Sequence, residues 1–184
     1  MRIRWIALIL SLSACRDSAE PPVVAEEILQ RVADANQVMF GVQHYVTAGG
    51  IRRANVEGDT AYFLETEGIV KISGNVRVTF FDSEGDTTSV LTSKKGTYDW
   101  NTGDMTAEVD VVVVNPREGR RIETSVLYYD QTGDRIWSDK ETRMIEADGT
   151  IVEGTAFESS SGMKEVDLTS ARMVRPGVQR QSTQ

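Results

Sequence analysis

Apolar and polar residues alternate along most of this sequence, and short glycine-containing turns separate the alternating runs. Val76, Val78 and Phe80 alternate with polar residues, and a second run from Met105 to Val113 repeats the pattern. Successive side chains of a strand point to opposite faces, so each run predicts a strand with one apolar face. Glycine, asparagine and aspartate in the turns supply the backbone conformations that tight hairpins need. The pattern therefore predicts an all-β domain of antiparallel strands over residues 39–175.

The chain begins with the features of a bacterial export signal. Arg2 and Arg4 precede a short apolar run at residues 5–12, and small residues then lead to Cys15. The run is too short to cross a membrane, which takes about 20 residues. The string Leu-Ser-Ala-Cys matches the lipobox of bacterial lipoproteins, so we expect residues 1–14 to be a signal peptide and Cys15 to be lipidated. A plain secretory signal with a leftover cysteine, or an uncleaved anchor, is the alternative.

Three further segments flank the predicted β domain. Residues 15–22 are polar and end in two prolines, which is typical of a short tether. Residues 23–38 carry apolar residues at helical spacing and two acids in the first predicted turn, which indicates a short amphipathic helix. Residues 176–184 form a polar tail.

The charge balance excludes some partners. The chain has 28 acidic and 20 basic residues, a formal net charge of −8. A negative surface repels the phosphates of nucleic acids and of anionic headgroups, so we expect no nucleic-acid partner and a membrane contact made through the lipid. Because Cys15 is the single cysteine, no disulfide within the chain supports the fold, and an apolar core must hold it.

Residue types that carry catalysis are sparse. His44 is the single histidine, and no second histidine or free cysteine completes a metal site around it. Asp82, Glu84 and Asp86 have the spacing of calcium ligands, but the acid at the twelfth position is missing and they lie in a predicted hairpin turn. No nucleophile or phosphate-binding motif occurs. We therefore expect no catalytic residues, no metal and no cofactor. A hydrolase that uses two acids to cleave glycans is one alternative.

Most of the chain after the helix resembles a known family. The resemblance rests on an ordered series of short segments: 45–54 (Tyr-Val-Thr-Ala-Gly-Gly-Ile-Arg-Arg-Ala), 58–62, 78–85, 91–93, 96–99 and 154–159. This series is similar to the LptC family of periplasmic lipopolysaccharide-export proteins and to its OstA-like and LptA-like relatives.

The resemblance implies an elongated, boat-shaped antiparallel β-jellyroll with an apolar groove. It also implies a function: the protein receives lipopolysaccharide from an inner-membrane ABC transporter, holds its lipid A acyl chains, and passes it to an LptA-like periplasmic jellyroll by edge-strand pairing. By the alternation of the predicted strands, we expect nine residues to line the groove: Val76, Val78, Phe80, Val109, Val111, Val113, Val126, Tyr128 and Phe157.

Two features distinguish the chain from familiar members of this family. The first is the lipobox, because familiar members are anchored in the membrane by an N-terminal helix and not by a lipid. The residue after Cys15 is Arg16, whereas the aspartate that would retain a lipoprotein in the inner membrane comes one place later, at Asp17. We expect a periplasmic domain anchored to the inner membrane, with the outer membrane as the alternative.

A rival hypothesis is a structural or assembly lipoprotein whose β domain binds a protein partner and no lipid. It requires a closed core, whereas lipid transport requires an open apolar groove. Periodicity does not distinguish the two, because both place the same residues on the inner face.

Overall fold

A computed structural model describes residues 23–174, with side chains from residue 29 onward. This part of the chain forms helix α1 (Val23–Asp34) and twelve strands, which confirms the all-β prediction. The strands are β1 (Gln37–Ala48), β2 (Ile51–Leu64), β3 (Ile69–Phe81), β4 (Thr87–Asp99), β5 (Met105–Asn115), β6 (Arg120–Asp130), β7 (Arg135–Ser138), β8 (Thr142–Ile145), β9 (Ile151–Gly154), β10 (Ala156–Ser160), β11 (Val166–Thr169) and β12 (Arg172–Val174).

Helix α1 is shorter than predicted. It ends at Asp34, and Gln37 and Val38 already pair with β2, so a helix to residue 38 is wrong. The end is fixed by Asn36, whose backbone N–H donates to Phe63 O over 2.8 Å and whose side-chain oxygen accepts from the Glu65 N–H over 2.8 Å. These hydrogen bonds join Asn36 to the end of β2, so the backbone becomes extended before another helical turn can form. Within residues 23–174 no helix has the length and apolarity needed to cross a membrane.

All strand pairs are antiparallel, and the sheet branches at β6. Strands β1 to β6 follow one another in order across the sheet. The first half of β6 then pairs with β8, which leads to β9 and β12. The second half pairs with β7, which leads to β10 and β11. The two halves of each long strand therefore belong to two different layers.

A row of register irregularities crosses the sheet where the two layers meet. In β3 it lies at Gly74 and Asn75, and in β5 at Val109 and Asp110; all four residues have positive φ. Each of these strands carries one residue more than its neighbours at that point. An extra residue bends a strand and increases its twist. The extra residues of β3 and β5 therefore bend the sheet along this row and turn it into two facing layers.

The core lies between these layers. The Phe80 and Tyr129 rings, which belong to opposite layers, meet with their centroids 5.1 Å apart. The turn after β10 closes one side, because its carbonyls accept hydrogen bonds from Ser89, Asn115 and Arg120 over 2.6, 3.0 and 2.8 Å. The buried cluster includes Val46, Val56, Ile72, Val78, Phe80, Leu91, Val111, Val113, Ile122, Leu127, Ile136, Phe157 and Met163.

Two valines of β5 provide a matched test of this arrangement. Val111 is 1% exposed, whereas Val109, two residues earlier in the bend, is 41% exposed. We expect Val111→Ala to lower the free energy of unfolding by about 2 kcal/mol, through lost burial and a residual cavity. Val109→Ala is expected to lower it by less than about 0.5 kcal/mol. Urea denaturation measures both, and equal losses would contradict the bend.

Candidate functional site

An apolar cavity of about 430 Å³ lies between the layers, behind the edge strand β1. Strand β1 supplies Met39 and Val42, and β2 supplies Val56 and Phe63 from the two sides of its bend. Further walls come from β3 and β4: Val70, Ile72, Tyr98 and, just after β4, Trp100. Gly41 also lines the cavity, and its positive φ of 64° kinks β1 at the level of the sheet bend. Its volume falls within the usual range of small-molecule sites, about 300–1,000 Å³.

Aromatic pairs frame the mouth of this cavity. The His44 and Tyr98 rings lie 5.3 Å apart, and the Phe63 and Trp100 rings stack at 6.4 Å. Trp100 is 38% exposed, and Met39 is 42% exposed. Gln43, His44 and the Tyr98 hydroxyl are the polar groups of the lining. An apolar interior with a few polar groups at its rim matches an amphiphile, whose tail is apolar and whose head is wet.

The deeper interior is packed. Val56, Ile72 and Tyr98 also border an inner void of about 20 Å³, surrounded by Phe80, Leu91, Leu127 and other core residues. A void of that size is close to the volume of one water-sized sphere. The apolar interior therefore combines a filled core with an open cavity at the β1 end.

Six of the nine predicted groove residues are buried in the core: Val76, Val78, Phe80, Val111, Val113 and Phe157. Val76, Val78 and Phe80 border the inner void, and none of the six lines the open cavity. Their contact with a ligand stays a prediction.

The other three predicted groove residues, Val109, Val126 and Tyr128, do not face the interior, contrary to the expectation. Val109 is solvent-exposed, because the left-handed backbone of the β5 bend turns it outward. In β6 the inward side chains are Leu127 and Tyr129, whereas Val126 and Tyr128 lie on the opposite face. Before the bend the buried residue of β6 has an even number, Ile122, whereas after the bend the buried residues have odd numbers, Leu127 and Tyr129. The face of β6 that points inward therefore changes at the bend. The expectation of uninterrupted alternation is wrong at these positions.

The remaining candidate residues have simpler places. Cys15 lies outside the described residues. Asp82 fixes its hairpin turn, as its carboxylate accepts from the Glu84 and Asp86 N–H groups over 3.1 and 2.9 Å. These hydrogen bonds lower the pKa of Asp82, and Arg117 nearby lowers it further.

The sequence did not predict that Met39 and Val42 of β1 line the cavity, because apolar and polar residues alternate only weakly in β1 and its burial comes from the strands behind it.

Burial shapes the electrostatics of the interior. It raises the pKa of Tyr129 to about 12, with a further increase from Asp134 and a decrease from Arg53. Burial also raises the pKa of Tyr98 at the cavity mouth, and Asp99 adds to this effect. Both hydroxyls therefore stay neutral at physiological pH, so that the apolar lining holds no phenolate.

This fold and cavity agree with a family match. The family described as "Lipopolysaccharide-assembly, LptC-related" matches residues 6–174. The chain belongs to the LptC family. Membership implies a role in lipopolysaccharide transport, a periplasmic location, and interaction with lipopolysaccharide and other components of the transport machinery.

A solved structure has the same fold as this LptC-family chain. LptH of Pseudomonas aeruginosa is the LptA-homologous periplasmic component of the conserved lipopolysaccharide transport device. It superposes with a TM-score of 0.51 at 17% sequence identity, over 67% of this chain and 95% of the LptH chain. The likeness shows the β-jellyroll architecture that the sequence predicted. No curated protein sequence matches the chain significantly.

Tyr129 gives the interior a measurable pH dependence. Its folded-state pKa of about 12 lies above the ordinary value of 10.0, so the stability it contributes is complete below about pH 10 and is lost as the pH rises toward 12. Between about pH 9.5 and 11.5 we expect the wild type to lose about 2 kcal/mol more than Tyr129→Phe, which cannot ionise. Urea denaturation at several pH values checks this, and parallel pH profiles would contradict it.

Proposed function

We propose that this protein is a lipid-anchored periplasmic component of lipopolysaccharide export. It receives lipopolysaccharide from the inner-membrane ABC transporter, holds lipid A acyl chains in the cavity behind β1, and passes the molecule to an LptA-like jellyroll. The open apolar cavity is the observation that carries this proposal, because a purely structural β domain has no need for an unfilled interior. Energy for the movement comes from the transporter, and the domain itself acts by binding, with no enzymatic role.

The cavity suits an acyl chain on chemical grounds. Its walls are aliphatic and aromatic side chains of β1 to β4, and its lining contains no lysine, arginine, aspartate or glutamate. Burial of an acyl methylene in such surroundings stabilises the complex by about 0.8 kcal/mol. Gln43, His44 and Trp100 lie at the rim, where the polar part of an amphiphile would meet solvent.

The free sheet edges support transfer between jellyrolls. Strand β1 is twelve residues long, contains no proline, and pairs with β2 alone among the described strands. Phe40 is 79% exposed and Tyr45 46% exposed on this strand. A long edge with exposed apolar side chains aggregates unless another strand covers it. Pairing with a neighbouring jellyroll covers it and places the two interiors end to end.

The proposed membrane anchor is a lipid attached to Cys15. A lipidated cysteine with three acyl chains, at about 0.8 kcal/mol per buried methylene, would hold the domain on a bilayer. The tether 15–22 would then leave the β domain in the periplasm. We propose the inner membrane as its residence, where the transporter is located.

The lipid site is tested by photocrosslinking. A photoreactive amino acid in place of Val42, inside the cavity, should capture lipopolysaccharide in cells and in the purified protein. The same substitution at Arg77, which lies on the outer face of β3, should capture none. Equal capture at the two positions would contradict the cavity as the lipid site, and capture at neither would support the rival in which the domain binds a protein and no lipid.

A cavity-filling variant adds a functional readout. We expect Val42→Trp to lower lipopolysaccharide capture by a neighbouring probe at Phe63 at least about tenfold, because the indole fills the space that acyl chains need. The matched control is Val109→Trp, which adds the same side chain at an exposed position in the sheet bend. Unchanged capture in Val42→Trp would exclude this cavity as the lipid site.

The anchor has its own test. We expect Cys15→Ala to move the protein from the membrane fraction to the soluble periplasm and to remove the added acyl mass measured by mass spectrometry. Density-gradient separation then assigns the wild type to one membrane. Arg16→Asp provides the comparison: if the wild type is in the outer membrane, this change should shift it inward. A soluble wild type would exclude lipidation.

A further inference from the structure

Two polar clefts between the layers share three residues: Arg53 of β2, Tyr129 of β6 and Asp134 of the turn after β6. Their volumes are about 340 and 510 Å³. They have no lining residue in common with the cavity behind β1. Tyr129 also borders the small inner void, so the packed core separates the clefts from the cavity. The clefts are therefore a second opening into the interior, which the proposed function does not use.

A β-bulge places Arg53 in these clefts. The pairing of β1 with β2 shifts by one residue between Val46 and Thr47, so Arg53 is the extra residue of β2. A bulge changes the direction in which the side chain of its extra residue points. Arg52, one residue earlier, packs on the ring of the exposed Tyr45, with its guanidinium carbon 4.3 Å from the ring centroid. Arg53 instead lines both clefts between the layers.

The guanidinium of Arg53 is partly buried and has no partner. Among the residues that the structure describes it makes no hydrogen bond and no ion pair, not even with Asp134 in the same lining. Arg120, which is also partly buried, has Glu146 at 3.2 Å and the carbonyl oxygen of Met163 at 2.8 Å. A guanidinium carries five N–H donors, and removing them from water without acceptors costs free energy. An anion in the clefts would remove this cost.

Further donors surround Arg53 in the smaller cleft. The Oγ1 atom of Thr88 is buried and has no hydrogen-bond partner among the described residues. Lys164 lines the same cleft, and its ammonium group is exposed and has no ion-pair partner in the described part of the chain. Gly162 lies beside both, since a Cβ there would be 3.8 Å from Thr88 Cβ and 4.0 Å from Lys164 Cγ. Cations together with hydroxyl groups are the donors from which phosphate oxygens accept hydrogen bonds. The lining has three further hydroxyls, on Ser83, Ser160 and Ser161.

Two carboxylates share the lining with these donors. Asp82 is already engaged, because it accepts from the Glu84 and Asp86 N–H groups and lies 3.4 Å from Arg117. Asp134 is exposed and forms no ion pair within the described residues. Solvent screens an exposed charge, so Asp134 weakens the binding of an anion without preventing it. Its oxygens also offer acceptors for the hydroxyls of a sugar that carries the anionic group.

We infer that Arg53 is the centre of a binding site for a phosphate group, with Lys164 as the second cation and the Thr88 hydroxyl as a further donor. The phosphate group comes from one of two sources, free phosphate or the headgroup of a phosphorylated amphiphile. The second source alone rests on the proposed function, to which it adds recognition of the polar head of lipopolysaccharide. The site itself depends on the geometry of the clefts and not on that function.

The site is tested by NMR titration of the purified full-length protein with inorganic phosphate and with glucosamine 1-phosphate. The ionic strength is held constant, because screening alone changes weak electrostatic contacts. We expect the backbone N–H signal of Gly162 to shift and to saturate with each compound, since this residue lies in the cleft wall beside Thr88 and Lys164. Absence of a saturable shift with both compounds would overturn the inference.

Four variants make the result specific to the clefts. Arg53→Gln should weaken phosphate binding at least about tenfold and Lys164→Gln about threefold, whereas Asp134→Asn should strengthen it about twofold. The matched control is Arg77→Gln, which removes the same charge from the outer face of β3 and should change nothing. Lys164 and Asp134 are exposed, so their variants report on the site even if Arg53→Gln fails to fold. If Arg53 pairs with Asp134 in solution instead, both variants would lower the Tm and leave phosphate affinity unchanged, which would overturn the inference.

Lipid A and an enzymatically dephosphorylated form of it distinguish the two sources. If the wild type binds the phosphorylated form at least about tenfold more tightly and Arg53→Gln binds both alike, the phosphate is that of the lipid headgroup. Saturable binding of inorganic phosphate without this preference assigns the site to free phosphate, and both outcomes support it. Lipopolysaccharide capture at Val42 reads out the proposed function separately. Phosphate binding without capture defeats only the proposed lipid cavity, and capture without phosphate binding defeats only this inference.

Discussion

The structure depends on a row of backbone bends that crosses the sheet at mid-strand. A sheet with one apolar face must cover that face, and this chain covers it with the other half of the same strands. Asparagine and aspartate at Asn75 and Asp110 tolerate the left-handed backbone that the bend requires. Val109 shares that backbone although β-branched residues rarely adopt it, a strain of order 1–3 kcal/mol that the pairing on both sides holds in place.

The bend also determines where the interior is open. Where β6 divides between β8 and β7, the two layers continue on separate strands and the core between them is packed. At the other end a single strand, β1, borders both layers, and Val46 is its one buried side chain among the described residues. The cavity therefore lies behind the strand with the fewest neighbours. Access to the cavity and the proposed pairing with a neighbouring jellyroll both involve β1, so a partner strand on this edge would also affect the cavity mouth.

Most charged side chains lie on the outer faces of the sheet. They contribute more to fixing the register of the strands than to the free energy of folding. Exposed ion pairs contribute about 0–1 kcal/mol each. Arg117 joins two hairpins through Asp82 and Asp86, at 3.4 and 2.9 Å. Arg121 and Arg143 both contact Glu123, whose pKa they lower together. A one-residue slip would move these charges into the core, so their placement excludes wrong pairings.

The sequence by itself determined the fold class, the short helix before it and the inward direction of Val76, Val78 and Phe80, because strand alternation is a local property. It also pointed to the correct family, because an ordered series of short segments between residues 45 and 159 resembles that family. It did not determine the inward face of β6 or the exposure of Val109, because the bend arises from pairing between strands distant in sequence. The open cavity was decided by tertiary structure for the same reason: Val42, Phe63 and Tyr98 come from three different strands, and their separation depends on how far the two layers diverge behind β1.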